Sequence, residues 1–248
     1  MDDAILSVRD LKVHFPVRKG ILARTVGHVK AVDGVSFELG RGETLGIVGE
    51  SGSGKSTIVR AIAGLVRPTA GDIVFHASRV SPGSRPKVAM VLQDPLGSLN
   101  PRWTVGEIVG TVPRSVAKPD VAALLDEVGL DPASADKYPH EFSGGERQRV
   151  CIARALAVNP EILICDEAVS ALDLSVRAQV LDLLSELRER RRLSILFITH
   201  DLGVVRHFCP RTLVMYRGRI VEEGATASVM SAPRCEYTKR LLASVLRI

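Results

Sequence analysis

Large rings are scarce in this chain: six Phe, three Tyr and one Trp make up 4% of its 248 residues. A core without them must be built from Val, Ile, Leu and Ala, which suits parallel strands covered by helices on both faces. Long apolar runs are missing too. None reaches the roughly 18 residues that span a bilayer, and the opening Met1-Asp2-Asp3-Ala4 lacks the basic and apolar regions of a signal peptide. The expectation is a cytoplasmic chain without a transmembrane segment, held at a membrane only through a partner. Cysteine is sparse: Cys151, Cys165, Cys209 and Cys235 form no C-x-x-C pair. That spacing argues against a disulfide framework or a zinc ribbon and predicts reduced, mostly buried thiols. Blocks of like charge are rare as well, at a net charge of +5. The one basic block, Arg188-Glu189-Arg190-Arg191-Arg192, ends a predicted helix, where cations suit the dipole. No aromatic interleaves it, so no nucleic acid is expected as a partner.

What the chain does have is 46% hydrophobic residues and a pattern of alternating elements. Residues 5–13 and 32–39 read as strands, with a basic, Gly-containing hairpin-like excursion or long loop between them at 16–28. A short buried run at 44–48 leads into a glycine-rich loop and a helix over 56–65, stopped by Arg67-Pro68-Thr69-Ala70-Gly71. Strands at 73–75 and 88–92 flank a polar turn at 76–86. Helical patterns at 104–109, 121–128 and 146–157 without intervening strands mark residues 93–157 as an all-α insertion in an α/β core. Alternation then resumes with strand 162–165, helix 176–190, strand 194–198, helix 202–208 and strands 212–215 and 219–222. Residues 225–248 read as a short helical tail to a single domain spanning 1–248.

The glycine-rich loop carries the first chemistry. Gly49-Glu50-Ser51-Gly52-Ser53-Gly54-Lys55-Ser56-Thr57 fits the P-loop pattern G-x-x-x-x-G-K-S between a predicted strand and a predicted helix. Gly49, Gly52 and Gly54 let the backbone turn sharply so that successive N–H groups point at phosphate oxygens, and the helix adds its positive end. Lys55 is placed to reach the β- and γ-phosphates, Ser56 to give a hydroxyl to Mg²⁺, and Thr57 to bond another phosphate oxygen. Downstream, Glu161-Ile162-Leu163-Ile164-Cys165-Asp166-Glu167 is an apolar strand ending in two carboxylates. Asp166 is placed to hold Mg²⁺, and Glu167 to take the proton of an attacking water or to orient it. His200 follows another buried strand, a position that by itself is usually just that of a loop or capping residue.

Phe142-Ser143-Gly144-Gly145-Glu146-Arg147-Gln148, shortly before the acidic pair, resembles the signature sequence of ABC ATPases. Gln93 resembles their Q-loop glutamine, Ser170-Ala171-Leu172-Asp173 their D-loop and His200 their switch histidine. The resemblance covers nearly the whole chain. It implies an α/β P-loop NTPase fold: an ABC ATPase core with an antiparallel β subdomain and an inserted all-α helical subdomain. It also implies ATP and Mg²⁺ as cofactors, and a head-to-tail pair of subunits. Each ATP would be held by the loop from Gly49 to Thr57 of one subunit, Glu50, Ser51 and Ser53 included, and by Ser143, Gly144 and Gly145 of the other. Glu167 and His200 would be catalytic, with His200 on the γ-phosphate. Gln93 would contact Mg²⁺ together with Ser56 and Asp166, and Asp173 would communicate across the pair. Phe15 is the best match for the aromatic that stacks on adenine, with His28 as the alternative if the insertion at 18–27 displaces it.

The finer resemblance is to ATPase subunits of dipeptide, oligopeptide and nickel importers. It rests on Lys30-Ala31-Val32-Asp33-Gly34-Val35-Ser36-Phe37, on Gln93-Asp94-Pro95 through Ser98-Leu99-Asn100-Pro101-Arg102, on Tyr138-Pro139-His140-Glu141, and on Tyr237-Thr238-Lys239-Arg240-Leu241-Leu242. Glu146 and Ala168 depart from the glutamine and proline usual there. No cysteine cluster supports an iron–sulfur site, Cys235 standing alone. The implied partners are transmembrane permease subunits, a second ABC ATPase subunit, identical or not, and indirectly a solute-binding protein. The implied place is the cytoplasmic face of the inner membrane. A soluble ABC ATPase of assembly or repair is the alternative, and the cargo, peptide or nickel or another small solute, stays open.

Overall fold

The computed structural model describes residues 4–19, 24–77 and 84–245. They fall into two compact units, one from residues 1–77 and 196–248, the other from 78–195. In the first unit β1 (Ala4–Lys19) and β2 (Arg24–Gly40) pair antiparallel from Ala4↔Gly40 to Lys19↔Arg24. Residues 16–19 and 24–28 of the excursion expected at 16–28 are thus paired strand, and residues 20–23 lie outside the described residues. Leu6, Leu11 and Val13 of β1 and Val32, Val35 and Leu39 of β2 are buried, and register shifts accommodate Asp10 at φ 42°. β3 (Thr44–Val48) is buried at every position and runs into the glycine loop and α1 (Lys55–Ile62). That helix is shorter than the predicted 56–65. Gly64 takes a φ of 77°, which breaks the helix and leaves Leu65 exposed. β4 (Ala70–Phe75) pairs antiparallel with β1 and completes a three-stranded sheet, β2-β1-β4.

The polar turn expected at 76–86 lies mostly outside the described residues, which resume at Ser84. In the second unit β5 (Val88–Val91) pairs parallel with β6 (Ile162–Asp166). Between them come α2 (Pro95–Ser98), α3 (Val105–Gly110), α4 (Val121–Glu127), 3-10 turns at Pro132–Asp136 and Pro139–Glu141, and α5 (Gly144–Leu156). None of the described residues between β5 and β6 forms a strand. α2 is too short to show apolar periodicity; its cues are local, Asp94 capping the Leu96 N–H at 3.0 Å and Pro95 in the first turn. α6 (Leu174–Arg191) ends in the basic block, whose cations meet nearby acids. Arg191 donates to both carboxylate oxygens of Glu127, Arg190 reaches Glu186 at 3.2 Å, and Arg192 closes the helix at φ 55°.

β7 (Ser194–Thr199) begins in the second unit and ends in the first. The first unit then adds α7 (Leu202–Phe208), β8 (Arg211–Tyr216), β9 (Arg219–Ala225), α8 (Thr226–Ser231) and α9 (Glu236–Val245). Within it β3, β8 and β9 are neighbours in that order, with β8 parallel to β3 and antiparallel to β9. β3, β6 and β7 are buried along their whole lengths, as parallel strands covered on both faces must be. The thiols follow the same logic. Cys151, Cys165 and Cys209 are free and buried, and burial pushes the Cys165 thiol up to about 12.

Candidate functional site

The phosphate loop is shaped by main chain on both sides. A β-carbon at Gly49 (φ 150°) would lie 2.3 Å from the Met215 carbonyl oxygen, and one at Gly54 (φ 107°) would lie 2.1 Å from that of Ala31. Only glycine fits there, and β2 and β8 supply the walls. Lys55 is 4% exposed and its ammonium donates to the carbonyls of Gly49 at 2.7 Å and Glu50 at 2.9 Å. The Ser53 N–H donates to the Glu50 carbonyl at 3.2 Å, and the Ser53 carbonyl accepts from the Gly218 N–H at 2.9 Å. Arg217 and Gly218, with φ of 47° and 80°, form the β8–β9 turn that makes this contact, and the Gly218 carbonyl accepts from the Asp33 N–H at 2.8 Å. Ser56 and Thr57 follow in the first turn of α1, half-buried. Glu50, Ser51 and Gly52 are exposed.

Two contacts, one made by this loop and one between the neighbouring strands, were invisible in the sequence. The Glu50 N–H donates to the Tyr237 hydroxyl of α9 at 3.2 Å, and the Tyr237 ring packs on Tyr216 with centroids 4.2 Å apart. Asp33 of β2 accepts from Arg219 at 2.8 Å, with His14 at 3.1 Å and Lys30 at 3.6 Å, and Arg219 holds its carboxyl down at about 2. Nothing in the local pattern of residues 186 or 187 positions apart signals either pairing. Phe15 pairs with Val29 and is 42% exposed, while His28 pairs with Pro16. Successive positions of a strand face opposite ways, so Phe15 and His28 present to opposite faces of the hairpin and only one of them can stack on a given base. His200 is exposed between β7 and α7, and Asp201 beside it caps α7 through the N–H groups of Gly203 and Val204, at 2.9 and 3.2 Å.

In the second unit the predicted residues stand at the ends of elements. Gln93 is exposed just beyond β5. Asp166 ends β6 and is 5% exposed, and Glu167 follows it at φ 52°, a left-handed conformation rare for a non-glycine residue and worth noting at a strand end. Asp173 caps α6, its carboxylate accepting from the Val176 N–H at 2.9 Å and the Ser175 hydroxyl at 2.8 Å, contacts that hold it below the usual carboxylate range. Ser143 caps α5 in a reciprocal box: its hydroxyl and N–H both donate to Glu146, at 2.7 and 2.8 Å, and it accepts the Glu146 N–H at 3.3 Å. The Ser143 hydroxyl and then its N–H hold the Glu146 carboxyl below its ordinary range. Gly144 is exposed beside it, whereas a β-carbon at Gly145 would meet a Val176 methyl at 2.4 Å.

The sequence pattern of the family described as ABC transporter matches residues 32–170. The chain belongs to that family. It is 49% identical over 258 residues to the oligopeptide transport ATP-binding protein AppF of Bacillus subtilis, covering 98% of this chain and 78% of AppF. It is 48% identical over 257 residues to the glutathione import ATP-binding protein GsiA of Escherichia coli, covering 98% of this chain but 41% of GsiA. The chain thus spans about two fifths of the length of its glutathione-import relatives. Among solved structures, cbiO1 of Clostridium perfringens, part of the ABC transporter complex cbiONQ, superposes with a TM-score of 0.75 at 26% identity, covering 100% of this chain and 96% of that one. The expected ABC ATPase fold, with its antiparallel β subdomain and helical segment, is therefore the observed one, and an ABC domain binds ATP. Of the two departures, Glu146 supplies the oxygen that accepts from Ser143 in the α5 cap, as a glutamine's amide oxygen could in the same geometry, and Ala168 is buried beside Glu167.

Proposed function

We propose that this ABC chain binds Mg²⁺-ATP and hydrolyses it to energise uptake of peptides or peptide-like solutes, glutathione among them, through a membrane permease. The observation that carries the ATP site is the phosphate loop, whose Gly49 and Gly54 are forced by main-chain walls and whose Lys55 is buried against its own carbonyls. The importer reading draws on the relatives named for oligopeptide transport and glutathione import.

Lys55 and the N–H groups at the start of α1 hold the phosphates, and the N-terminus of α5, with Ser143 and Gly144 exposed on it, closes on the γ-phosphate held by a second subunit. Among the described residues no cluster of three or more His, Cys, Asp and Glu is able to hold a metal. Mg²⁺ takes one or two carboxylates and otherwise phosphate and water; Asp166, Ser56 and Gln93 are the residues that would supply oxygens to it. Bound there, the ion neutralises charge on the β- and γ-phosphates. Glu167 takes the proton of the attacking water, His200 contacts the γ-phosphate, and Asp173 works across the subunit pair. Phe15 is the adenine platform.

No helix among the described residues is long and apolar enough to cross a membrane. The importer reading puts the chain on the cytoplasmic face, attached through its partners. Leu96, Trp103 and Tyr138, all in the segment from 93 to 157, leave large apolar side chains 55%, 42% and 41% exposed, which supports docking of that segment on the permease. Purification from solubilised membranes is expected to yield the chain with permease subunits; a cytosolic complex with no membrane component sinks the importer reading. Ser143→Arg is expected to abolish ATP-driven pairing on size-exclusion chromatography while Mg-ATP still binds the single chain. Unaltered pairing refutes the head-to-tail arrangement.

A further inference from the structure

We infer that Tyr237 is a positioning residue for the phosphate loop, and that α9 sets nucleotide affinity through it. The inference rests on the nucleotide-binding reading above. Its geometry centres on one peptide unit, the one joining Gly49 to Glu50. The carbonyl of that unit accepts from the Lys55 ammonium at 2.7 Å, and its N–H donates to the Tyr237 hydroxyl at 3.2 Å. Carbonyl and N–H of one peptide turn together because the unit is planar. The hydroxyl of α9 therefore fixes which way the Gly49 carbonyl points, and so how Lys55 is held before it meets a phosphate.

Gly49 needs such a hold. At φ 150° it lacks the steric limits that keep other residues in one conformation, so its following peptide can rotate unless something pins it. Tyr237 is itself firmly placed. It is 6% exposed, its ring lies on that of Tyr216 at the end of β8, and the Arg217 guanidinium lies over the Tyr216 ring, 5.0 Å from its centroid. The entry to α9 is tied down separately, by the Glu222 carboxylate of β9, which accepts the N–H groups of Arg234 at 2.8 Å and Cys235 at 3.0 Å. A chain of fixed contacts thus runs from β9 through the start of α9 to the loop, all within the first unit. A merely structural role for Tyr237 would need the ring alone; the hydroxyl aimed at Glu50 is what the packing does not require.

The test uses the full chain, with Mg-ATP titrated calorimetrically and ATPase kinetics measured in the assembled transporter. Tyr237→Phe keeps the ring and removes the acceptor. The expected result is a dissociation constant and KM for ATP raised roughly threefold to tenfold, the range of one ordinary hydrogen bond, with kcat changed much less. Tyr237→Ala is expected to lower the melting temperature as well, because it also removes the packing on Tyr216. Glu222→Gln, which weakens the tie on α9, is expected to raise KM in the same direction by a smaller factor, and serves where Tyr237→Phe does not fold. Wild-type affinity and KM in Tyr237→Phe, or in Glu222→Gln if that is the variant available, overturn the inference while leaving ATP binding intact. Failure of the wild-type chain to bind Mg-ATP removes the underlying reading and the inference with it.

Discussion

A β-carbon at Gly54 would lie 2.1 Å from a carbonyl oxygen, and one at Gly145 would lie 2.4 Å from a valine methyl. The two distances are similar, but the obstacles are not. Strand main chain cannot turn aside as a side chain can, and Gly54 also holds a φ of 107° that other residues avoid. The Val176 side chain sits on the first turn of α6 and can change rotamer or shift slightly. The phosphate loop is therefore preformed by the strands β2 and β8 that wall it. The segment at Ser143 and Gly144 is an exposed helix start, held by its own Ser143 and Glu146.

Breaking the first region should cost most. Gly54→Ala is expected to destabilise the chain by more than about 3 kcal/mol and to abolish Mg-ATP binding, measured by denaturant unfolding and calorimetry. Next comes the chemistry in the second unit: Glu167→Gln should leave ATP binding in place and slow hydrolysis on the order of 100-fold or more. Unchanged turnover would take Glu167 out of its role as base. Gly145→Ala is expected to cost about 1–2 kcal/mol, a modest overpacking penalty, and equality with Gly54→Ala in the same unfolding assay would erase the contrast. Ser143→Ala should cost about 1 kcal/mol, the value of a lost helix cap, without weakening Mg-ATP binding to the single chain.

The smallest effect is on pH dependence. Arg219, then His14 and Lys30, hold the Asp33 carboxyl at about 2 rather than its ordinary 3.8. A carboxylate depressed in the folded state stabilises above its unfolded value and loses that contribution as the pH falls toward its folded one. Wild-type stability should thus decline between about pH 4 and pH 2 by an increment that Asp33→Asn lacks. Parallel acid-unfolding curves for the two proteins would show that the contact ties β2 to β9 without stabilising either.

Much of the fold was legible because its cues are short-range. The strand at 44–48 was predicted with its observed bounds, as was the helix at Leu202–Phe208, and the all-α reading of 93–157 agrees with the described elements there. Helix ends moved where a single backbone choice decided them, as Gly64 did for α1. The exposed turn of α2 was missed because four residues hold no period, though Asp94 and Pro95 were a usable cap signal.

By itself the sequence determined the chemistry of each segment: where glycine must turn, which lysine follows, which carboxylates end a strand and which serine opens a helix. These are properties of a few adjacent residues and of the φ, charge and capping they demand. Only the tertiary structure decided what surrounds them. The carbonyls of Ala31 and Met215 make Gly54 and Gly49 obligatory, and Tyr237, 187 positions from Glu50, fixes the loop's first peptide. Those contacts arise from the packing of whole strands and helices, and packing partners far apart in the chain leave no mark in local pattern.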